Sequence, residues 1–287
     1  MTATTAVTVE PVAGSLGAVV SGVDLRQVRT EQELRPILEA LWRHLVIFLP
    51  EQEMDLDDLE RITDLFGGRD TTPYVKPVEG RPYVMRVLKE PSDQMNFANA
   101  WHSDLTYLPS PPSYTLLHAY EIPPYGGDTM WSNQYLAFES LSPGLQKMLR
   151  GVKAMHSAGM AYGLDGVFAR AKGATSMEVQ PSQDAQKEKS HPAVIRHPET
   201  GKLALYVNPV YTTRFQGWTE ADSKPLLEHL FRHSVQENFT CRLRWKPGTL
   251  AIWDNRATQH NGLNDFSGMR RVLYRTSVRG AAPVAAS

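Results

Sequence analysis

The segment Trp101-His102-Ser103-Asp104 places an imidazole and a carboxylate two residues apart. On an extended strand such residues point to the same face, so His102 and Asp104 could bind one divalent metal ion together. A third ligand must come from elsewhere, and the best candidate is His260, in the segment WDNRATQH. Two histidines and one carboxylate on one side of a metal form the arrangement of non-haem Fe(II) oxygenases, which leaves the other side open for cosubstrate and oxygen.

The His-x-Asp pattern is short, and a chain with 9 histidines can contain it by chance. His197-Pro198-Glu199 has the same carboxylate spacing, but Pro198 and Gly201 indicate a turn, so a solvated hairpin tip is expected there. The alternative for His102 is an ordinary core or surface histidine. The metal hypothesis therefore depends on the other residues described below.

The length of 287 residues, with 41% hydrophobic and 21% charged residues, suits a single domain over residues 1–287. The net charge of −1 gives no basic field that would favour nucleic acid. The single cysteine, Cys241, excludes an internal disulfide and suits a reducing compartment. The start of the chain lacks a signal-peptide pattern, and no apolar stretch is long enough to span a bilayer. We therefore expect a cytoplasmic protein that binds neither nucleic acid nor membranes.

Strand patterns dominate the chain, and helix patterns are concentrated near its start. Thr30 and Glu33 form a capping box that precedes apolar residues at helical spacing. A second amphipathic helix is predicted from Leu56 to Phe66, and a later one is capped by Thr219. Strands are predicted over residues 45–49, 114–120, 128–132, 203–207, 239–246, 250–254 and 271–278. These elements predict a mainly β fold with flanking helices, a jelly roll.

Two segments show few regular patterns. Residues 71–99 are polar and rich in proline, and they lead directly into the metal pattern, so they are a candidate substrate loop. Residues 151–190 are the least regular part, and their second half has almost no apolar content. Because strand patterns resume on both sides, a mobile lid or insertion is expected around 151–190.

Arg271 and Arg275 lie four residues apart in the last predicted strand, so they share one face. If that face points inward, the two buried cations need anionic partners. A ligand carboxylate could supply them, because the sequence offers no obvious fixed one. If the face points outward, both arginines are solvent-screened surface charges. Periodicity alone does not separate these possibilities.

Five motifs, in the order WHSDLTY, GGDTMW, YVNPVYTTR, WDNRATQH and MRRVLYRTSVRG, resemble the taurine dioxygenase and phenoxyalkanoate dioxygenase family. The similarity runs from VSGVDL near the start to the last strand, and TEADSKPLLEHLF and FTCRLRWKPG are most similar to aryloxypropionate dioxygenases. The resemblance implies a double-stranded β-helix, the cupin-like form of the jelly roll. It also implies an Fe(II)- and 2-oxoglutarate-dependent dioxygenase that uses O2.

Matched by position, the resemblance implies three iron ligands, which are His102, Asp104 and His260. Arg271, eleven residues after His260, matches the arginine that pairs with the distal carboxylate of 2-oxoglutarate. Thr129 matches the threonine that contacts the same carboxylate, and Arg275 matches a second arginine between cosubstrate and anionic substrate. The implied reaction hydroxylates a C–H bond of a small organic anion and releases succinate and CO2. Where the hydroxylated carbon bears oxygen or sulfur, the ether, C–O or C–S bond is cleaved.

The substrate pocket is less well indicated. Lys76, Arg275 and Arg279 are cations that could contact an anionic substrate, with surface charge as the alternative for Lys76 and Arg279. Tyr211 and Lys76 resemble pocket positions of the aryloxypropionate enzymes. Four further aromatic residues could line an apolar cavity or belong to the core: Tyr74, Phe97, Tyr107 and Tyr162. The segment TTPYVKPVEG lacks the histidine that taurine enzymes carry there, so a carboxylate or sulfur-based anion with a hydrophobic body is predicted rather than taurine.

Three alternatives stay open on the sequence alone. The chain could be a hydroxylase of the same class that acts on an amino-acid or natural-product scaffold. It could be a jelly-roll binding protein without turnover, for which the set of His102, Asp104, His260 and Arg271 has no use. It could be a zinc hydrolase, because the same ligands suit catalytic zinc. Arg271 and Thr129 would then have no function in the site. The resemblance also implies a possible homo-oligomer.

Overall fold

The computed structural model describes residues 7–286, and sixteen strands and seven α-helices lie in this range. The strands are β1 (Thr8–Pro11), β2 (Ala18–Ser21), β3 (Val46–Leu49), β4 (Arg69–Asp70), β5 (Met85–Lys89), β6 (Tyr114–Glu121), β7 (Thr129–Asn133), β8 (Lys153–Ser157), β9 (Glu188–Pro192), β10 (Val194–Arg196), β11 (Leu203–Leu205), β12 (Thr212–Phe215), β13 (Thr240–Leu243), β14 (Leu250–Asp254), β15 (Thr258–Gly262) and β16 (Arg271–Val278). The helices are α1 (Glu31–His44), α2 (Leu56–Leu65), α3 (Gln134–Glu139), α4 (Pro143–Arg150), α5 (Gly159–Tyr162), α6 (Val167–Arg170) and α7 (Glu220–His233). Among the helices of these residues, none is both long and apolar enough to cross a membrane.

Eight strands form the main sheet, in the order β1-β2-β3-β14-β6-β16-β4, with β5 also paired to β16. From β3 to β16 the neighbours are antiparallel. Both faces of the sheet are buried at its central strands β3 and β14. In β3, Val46 and Phe48 belong to one apolar cluster and Ile47 and Leu49 to another, as the two-residue period of a strand requires.

Helices α1 and α2 cover one face of the main sheet. Helix α1 begins at the predicted capping box: Glu33 N–H donates to the Thr30 hydroxyl at 3.3 Å, and Thr30 N–H donates to the Glu33 carboxylate at 3.0 Å. Its buried residues Leu34, Ile37 and Leu41 join the cluster formed by the second face of β3. The early helices therefore hold the sheet from outside and leave its inner face for the site.

A second sheet, in the order β13-β7-β15, faces the inner side of the main sheet. Trp131 on β7 contacts Phe48 on β3 and Trp253 on β14, with ring centroids 5.3 Å and 5.7 Å apart. All three rings are buried, so the core lies between the sheets. Two facing sheets of mainly antiparallel strands form a jelly roll of the double-stranded β-helix type, and the predicted fold is confirmed.

Two segments differ from their sequence patterns. Residues 71–99 contain β5, which was not predicted because its pairing partner, β16, lies far along the chain. Residues 151–190 contain β8, the central strand of the β12-β8-β9 sheet, as well as α5 and α6. A lid function of residues 151–190 stays a prediction.

Candidate active site

The main chains of His102 and His260 are joined directly. His102 N–H donates to the carbonyl of His260 at 3.0 Å, and His260 N–H donates to the carbonyl of His102 at 2.8 Å, which makes an isolated antiparallel bridge. The two imidazole rings consequently lie with their centroids 4.2 Å apart. Residues that are distant in the sequence thus converge through backbone hydrogen bonds.

Asp104 reaches the same place from a turn. The expectation of an extended strand through His102 and Asp104 was wrong, because Asp104 starts a turn in which Leu105 has a φ of 51°. The carboxylate still faces both histidines. Its Oδ1 lies 3.6 Å from His102 Nε2 and 3.8 Å from His260 Nε2.

His102, Asp104 and His260 form a candidate metal centre. All three are buried, and one ligand atom from each lies within 4.8 Å of the others. An ion with bonds of about 2.1 Å joins atoms up to roughly 4.2 Å apart, so both contacts of Asp104 are short enough to share one ion. Two imidazoles and one carboxylate are a donor set that suits Fe(II). The residues present therefore fit the metal that the sequence predicts.

The protonation states also suit metal binding. His102 Nδ1 lies 2.7 Å from the carbonyl oxygen of Ala100, so Nδ1 donates and Nε2 keeps its lone pair for a metal. Burial lowers the pKa of His260 well below its usual value, and His102 lowers it further. Burial alone would raise the pKa of Asp104, but Arg275 and the two histidines hold it far below its usual value. A neutral His260 and an ionised Asp104 are the forms that bind metal.

Three residues that the sequence reasoning missed orient Asp104. The Thr115 hydroxyl donates to Asp104 Oδ2 at 2.7 Å, Asn255 Nδ2 donates to Thr115 Oγ1 at 2.9 Å, and Trp253 Nε1 donates to Asn255 Oδ1 at 2.9 Å. This chain of hydrogen bonds leaves Oδ1 of Asp104 turned toward the histidines. The only signal in the sequence is that Trp253 and Asn255 lie two residues apart, so their side chains share a face.

Arg271 lies at the start of β16 and points inward. It is 3% exposed, and its Nε and Nη2 have no hydrogen-bond partner among the described residues. Its Cζ lies 5.8 Å and 5.7 Å from the ring centroids of Trp245 and Phe266, and Trp245 Nε1 donates to the hydroxyl of Thr129 at 3.0 Å. Burial lowers the pKa of Arg271 to about 10, so the group is still a cation at neutral pH. Unused donors on a buried cation suit a ligand carboxylate.

Arg275 also points inward and is 7% exposed. The face of β16 that Arg271 and Arg275 share therefore points into the protein and not to solvent. Its Nη2 lies 3.0 Å from Oδ1 of Asp104 and 3.4 Å from the hydroxyl of Ser277. Its Nε has no hydrogen-bond partner among residues 7–286. Arg275 is therefore the cation in direct contact with the candidate metal centre.

A cavity of about 310 Å³ opens beside this centre. Its wall includes His102, Asp104 and Arg275, and Arg275 is the one Lys or Arg that lines it within the described part of the chain. The remaining wall is mainly apolar and includes Phe97, Tyr162, Phe168, Val210 and Tyr211. The expected aromatic residues Tyr74 and Tyr107 pack behind this wall, with ring centroids 5.5 Å from Tyr162 and 5.0 Å from Tyr211 respectively.

Lys76 and Arg279 do not line this cavity. Lys76 pairs with Glu178 at 2.6 Å, and its side chain is 53% exposed. Arg279 is exposed after the end of β16, where its N–H donates to the carbonyl of Gly68 at 2.8 Å. Both are placed as surface charges, the alternative that the sequence left open.

His197, in the segment HPETGK, is buried rather than solvated. Its Nε2 lies 2.8 Å from Oδ2 of Asp254, and its Nδ1 accepts from the N–H groups of Glu199 and Thr200 at 3.3 Å and 3.2 Å. Asp254 also pairs with Arg256 at 2.7 Å. The predicted hairpin of β10 and β11 is confirmed, and Pro198, Glu199 and Gly201 at its tip are exposed as expected. His197 differs from the expectation, because a carboxylate from β14 holds it in the interior. All these contacts are internal, so His197 has a structural role.

Similarity to known proteins agrees with this geometry. The family model described as "Taurine catabolism dioxygenase TauD, TfdA family" matches residues 8–277. The chain is 34% identical over 278 residues to the alpha-ketoglutarate-dependent sulfate ester dioxygenase of Pseudomonas putida, with 96% of this chain and 90% of that protein covered. It is 30% identical over 277 residues to an alkylsulfatase of Acinetobacter baylyi, with 93% and 83% covered.

Among solved structures, a taurine dioxygenase from Burkholderia xenovorans superposes with a TM-score of 0.80 at 33% sequence identity. The superposition covers 98% of this chain and 93% of that chain. Residues 8–277, which the family model matches, include His102, Asp104 and His260. The chain therefore belongs to the TauD/TfdA family of dioxygenases.

Proposed function

We propose that this protein is an Fe(II)- and 2-oxoglutarate-dependent dioxygenase that hydroxylates a C–H bond of a small organic anion. The observation that carries the proposal is the position of Arg271 and Arg275 on one inward face of β16, with Arg275 in contact with Asp104 of the metal centre. Arg271 has no anionic partner among the described residues, and Arg275 is paired with the carboxylate of Asp104, which would also bind the metal, so both cations are suited to anionic ligands. One is the cosubstrate, and the other is the substrate.

His102, Asp104 and His260 would hold the Fe(II), and the donor set leaves coordination positions free. With 2-oxoglutarate and O2 bound, the iron supplies oxidative decarboxylation to succinate and CO2, coupled to hydroxylation of the substrate. The Ala100 carbonyl fixes the tautomer of His102, and the Thr115 hydroxyl fixes the direction of Asp104. These contacts position the ligands without help from the ion.

Arg271 and Thr129 would bind the distal carboxylate of 2-oxoglutarate. The planar guanidinium offers two unused N–H groups, which suits a bidentate carboxylate. Trp245 links the two residues, because it donates to Thr129 and lies against Arg271. The surrounding apolar rings exclude water, which strengthens the ion pair.

Arg275 and Tyr211 are the residues we propose for the substrate, rather than Lys76 and Arg279. Arg275 would meet the anionic head, and the apolar wall that includes Tyr211 would hold a hydrophobic body. Sulfate esters fit this description, as do carboxylates and sulfonates. When the hydroxylated carbon bears the ester or ether oxygen, or a sulfur atom, the product is unstable and the C–O or C–S bond breaks.

The experiment is an anaerobic titration of the Fe(II)-loaded protein with 2-oxoglutarate, followed by the visible charge-transfer band of the chelate. We expect a saturable band in the wild type and its loss in His260→Ala. Succinate release in air is then compared across alkyl sulfates, sulfonates, aryloxyalkanoates and neutral alcohols of equal chain length. Absence of the band, or turnover only with neutral compounds, would contradict the proposal.

A further inference from the structure

Lys89, the last residue of β5, is a buried cation that the proposed reaction does not yet use. It is 2% exposed, and its Nζ has no hydrogen-bond partner among the described residues. The ammonium group lies over the face of Phe266, whose ring centroid is 4.7 Å away. A site this enclosed would accommodate leucine or methionine without desolvating a charge, so packing alone does not explain a lysine here.

The sheet register places Lys89 beside Arg271. The two residues are directly paired across the antiparallel strands β5 and β16. Paired residues point to the same face, with Cβ atoms about 4.5–5.5 Å apart. Both side chains also reach Phe266. The ring centroid of Phe266 lies 5.7 Å from Arg271 Cζ and 4.7 Å from Lys89 Nζ. Two cations with unused donors therefore lie against the same aromatic ring.

Two carboxylates act on Arg271 electrostatically, those of Asp128 and Asp265. Asp128 Oδ2 pairs with Arg242 at 2.6 Å, and Asp128 Oδ1 is buried without a hydrogen-bond partner among the described residues. Asp265 Oδ1 accepts from the N–H of Gly127 at 2.7 Å. The described residues thus contain no carboxylate in contact with either buried cation. Like charges buried side by side destabilise a fold unless an anion joins them.

We propose that Lys89 is a second cation for the distal carboxylate of 2-oxoglutarate and, together with Arg271, makes the site select 2-oxo diacids over 2-oxo monoacids. This inference rests on the proposed function, since it assigns the residue to the cosubstrate pocket. One carboxylate bound by both the ammonium group and the guanidinium group would accept hydrogen bonds from donors that otherwise have no partner. The cation–π contact with Phe266 then serves to aim the ammonium group into the pocket.

The test compares wild type with Lys89→Met, which keeps the length of the side chain and removes its charge. Fe(II)-loaded proteins are titrated anaerobically with 2-oxoglutarate and with 2-oxovalerate, which has the same chain length but no distal carboxylate. We expect the variant to lose affinity for 2-oxoglutarate by about tenfold or more, and affinity for 2-oxovalerate by less than about twofold. Lys89→Arg keeps the charge, and we expect it to retain the preference for the diacid.

Arg86→Met is the matched control, because Arg86 lies on the same strand but is exposed. It removes one positive charge and should leave both affinities unchanged. A readout independent of iron is thermal unfolding of the metal-free protein. Lys89→Met should unfold at the same or a higher temperature than wild type, because an unpaired buried charge is gone.

An equal loss of affinity for both 2-oxo acids, or an unchanged preference for the diacid, would overturn the proposal. A lower unfolding temperature with unchanged preference would identify Lys89 as a structural partner of Phe266 and would overturn it as well. If Lys89→Met does not fold, Lys89→Gln takes its place with the same expectations. A wild type that binds no 2-oxoglutarate at all would instead refute the proposed function, so the two failures are distinguishable.

Discussion

Arg275 Nη2 and Asp104 Oδ1 lie 3.0 Å apart, and the same carboxylate oxygen faces the Nε2 atoms of His102 and His260. One oxygen atom is therefore shared between a cation of the substrate cavity and the position of the metal. A divalent ion held by Asp104 would withdraw electron density from this oxygen and weaken its attraction for the guanidinium group. Arg275 would then be available to an incoming anion, and metal loading would be linked to recognition of the substrate.

Replacing Arg275 should mainly affect the substrate. We expect Arg275→Gln to weaken binding of an anionic substrate by about 1.5–3 kcal/mol, the range for a hydrogen bond to a charged group. Steady-state kinetics with an alkyl sulfate should show a raised KM. Lys76→Gln is the control, because its ammonium group pairs with Glu178 at the surface and should not affect KM. Equal effects of both changes would argue against Arg275 as the anion site.

Replacing Arg271 should mainly affect the cosubstrate. Arg271→Ala removes the buried guanidinium group, and we expect the affinity for 2-oxoglutarate to fall by about 1.5–3 kcal/mol. Titration calorimetry of the metal-loaded protein measures this directly. The neighbouring Arg270 is a suitable control, since it pairs with Glu90 and Glu121 at the surface. Unchanged affinity in Arg271→Ala would defeat the assignment.

The hydroxyl of Thr115 should be needed for tight metal binding. Thr115→Val keeps the shape of the side chain but removes the hydrogen bond that turns Asp104 toward the histidines. We expect the affinity for Fe(II), or for Mn(II) as a stable substitute, to fall by about 10–100-fold. Thr213→Val, whose hydroxyl bonds Glu188 in another sheet, should leave metal affinity unchanged. A similar loss in both variants would indicate a general effect on folding.

Acid should destabilise the metal-free protein through buried His156. Burial, together with the nearby His191, lowers the pKa of His156 to about 3, whereas in the unfolded chain it is about 6.5. Below the unfolded value, the unfolded chain binds a proton that the folded chain refuses, so stability is lost as the pH falls toward 3. Urea denaturation at pH 7.5 and 5.5 should show a loss of up to about 1.4 kcal/mol from this residue.

The pH dependence can be assigned by comparison with His156→Gln, which cannot take up the proton. The difference in unfolding free energy between the two pH values should shrink by about the same amount in this variant. If this difference is the same in His156→Gln as in wild type, His156 does not cause the loss of stability in acid. Other buried histidines with lowered pKa, such as His118 and His191, contribute in the same direction in both proteins.

The sequence predicted the features of the fold and of the site that depend on local patterns or on residue type. The capping box at Thr30, the alternating strands and the pair His102 and Asp104 could be identified because each signal is contained in a few neighbouring residues. His260 was assigned to the same set by residue type and by the family resemblance of its motif. The jelly roll followed from the number and spacing of the strands. The inward face of Arg271 and Arg275 needed the structure, since strand periodicity gives a shared face but not its direction.

What could not be predicted depends on residues far apart in the chain. Thr115 and Asn255 have ordinary sequence surroundings, and their role exists only because they meet Asp104 in space. The burial of His197 depends on Asp254 of β14, which accepts its hydrogen bond and lies far from the HPETGK turn in the sequence. The burial of Lys89 could not be predicted either. Lys89 lies in a polar segment, and its strand β5 is defined only by its pairing with β16.

The reciprocal hydrogen bonds between the backbones of His102 and His260 have a consequence for how the ion enters. The two imidazoles are preorganised by the fold, so little conformational entropy is lost when an ion arrives. Removal of the ion by a chelator should therefore leave the circular dichroism spectrum unchanged and be fully reversible. Exchange between divalent ions is then governed by the preference of imidazole and carboxylate donors, and not by refolding of the chain.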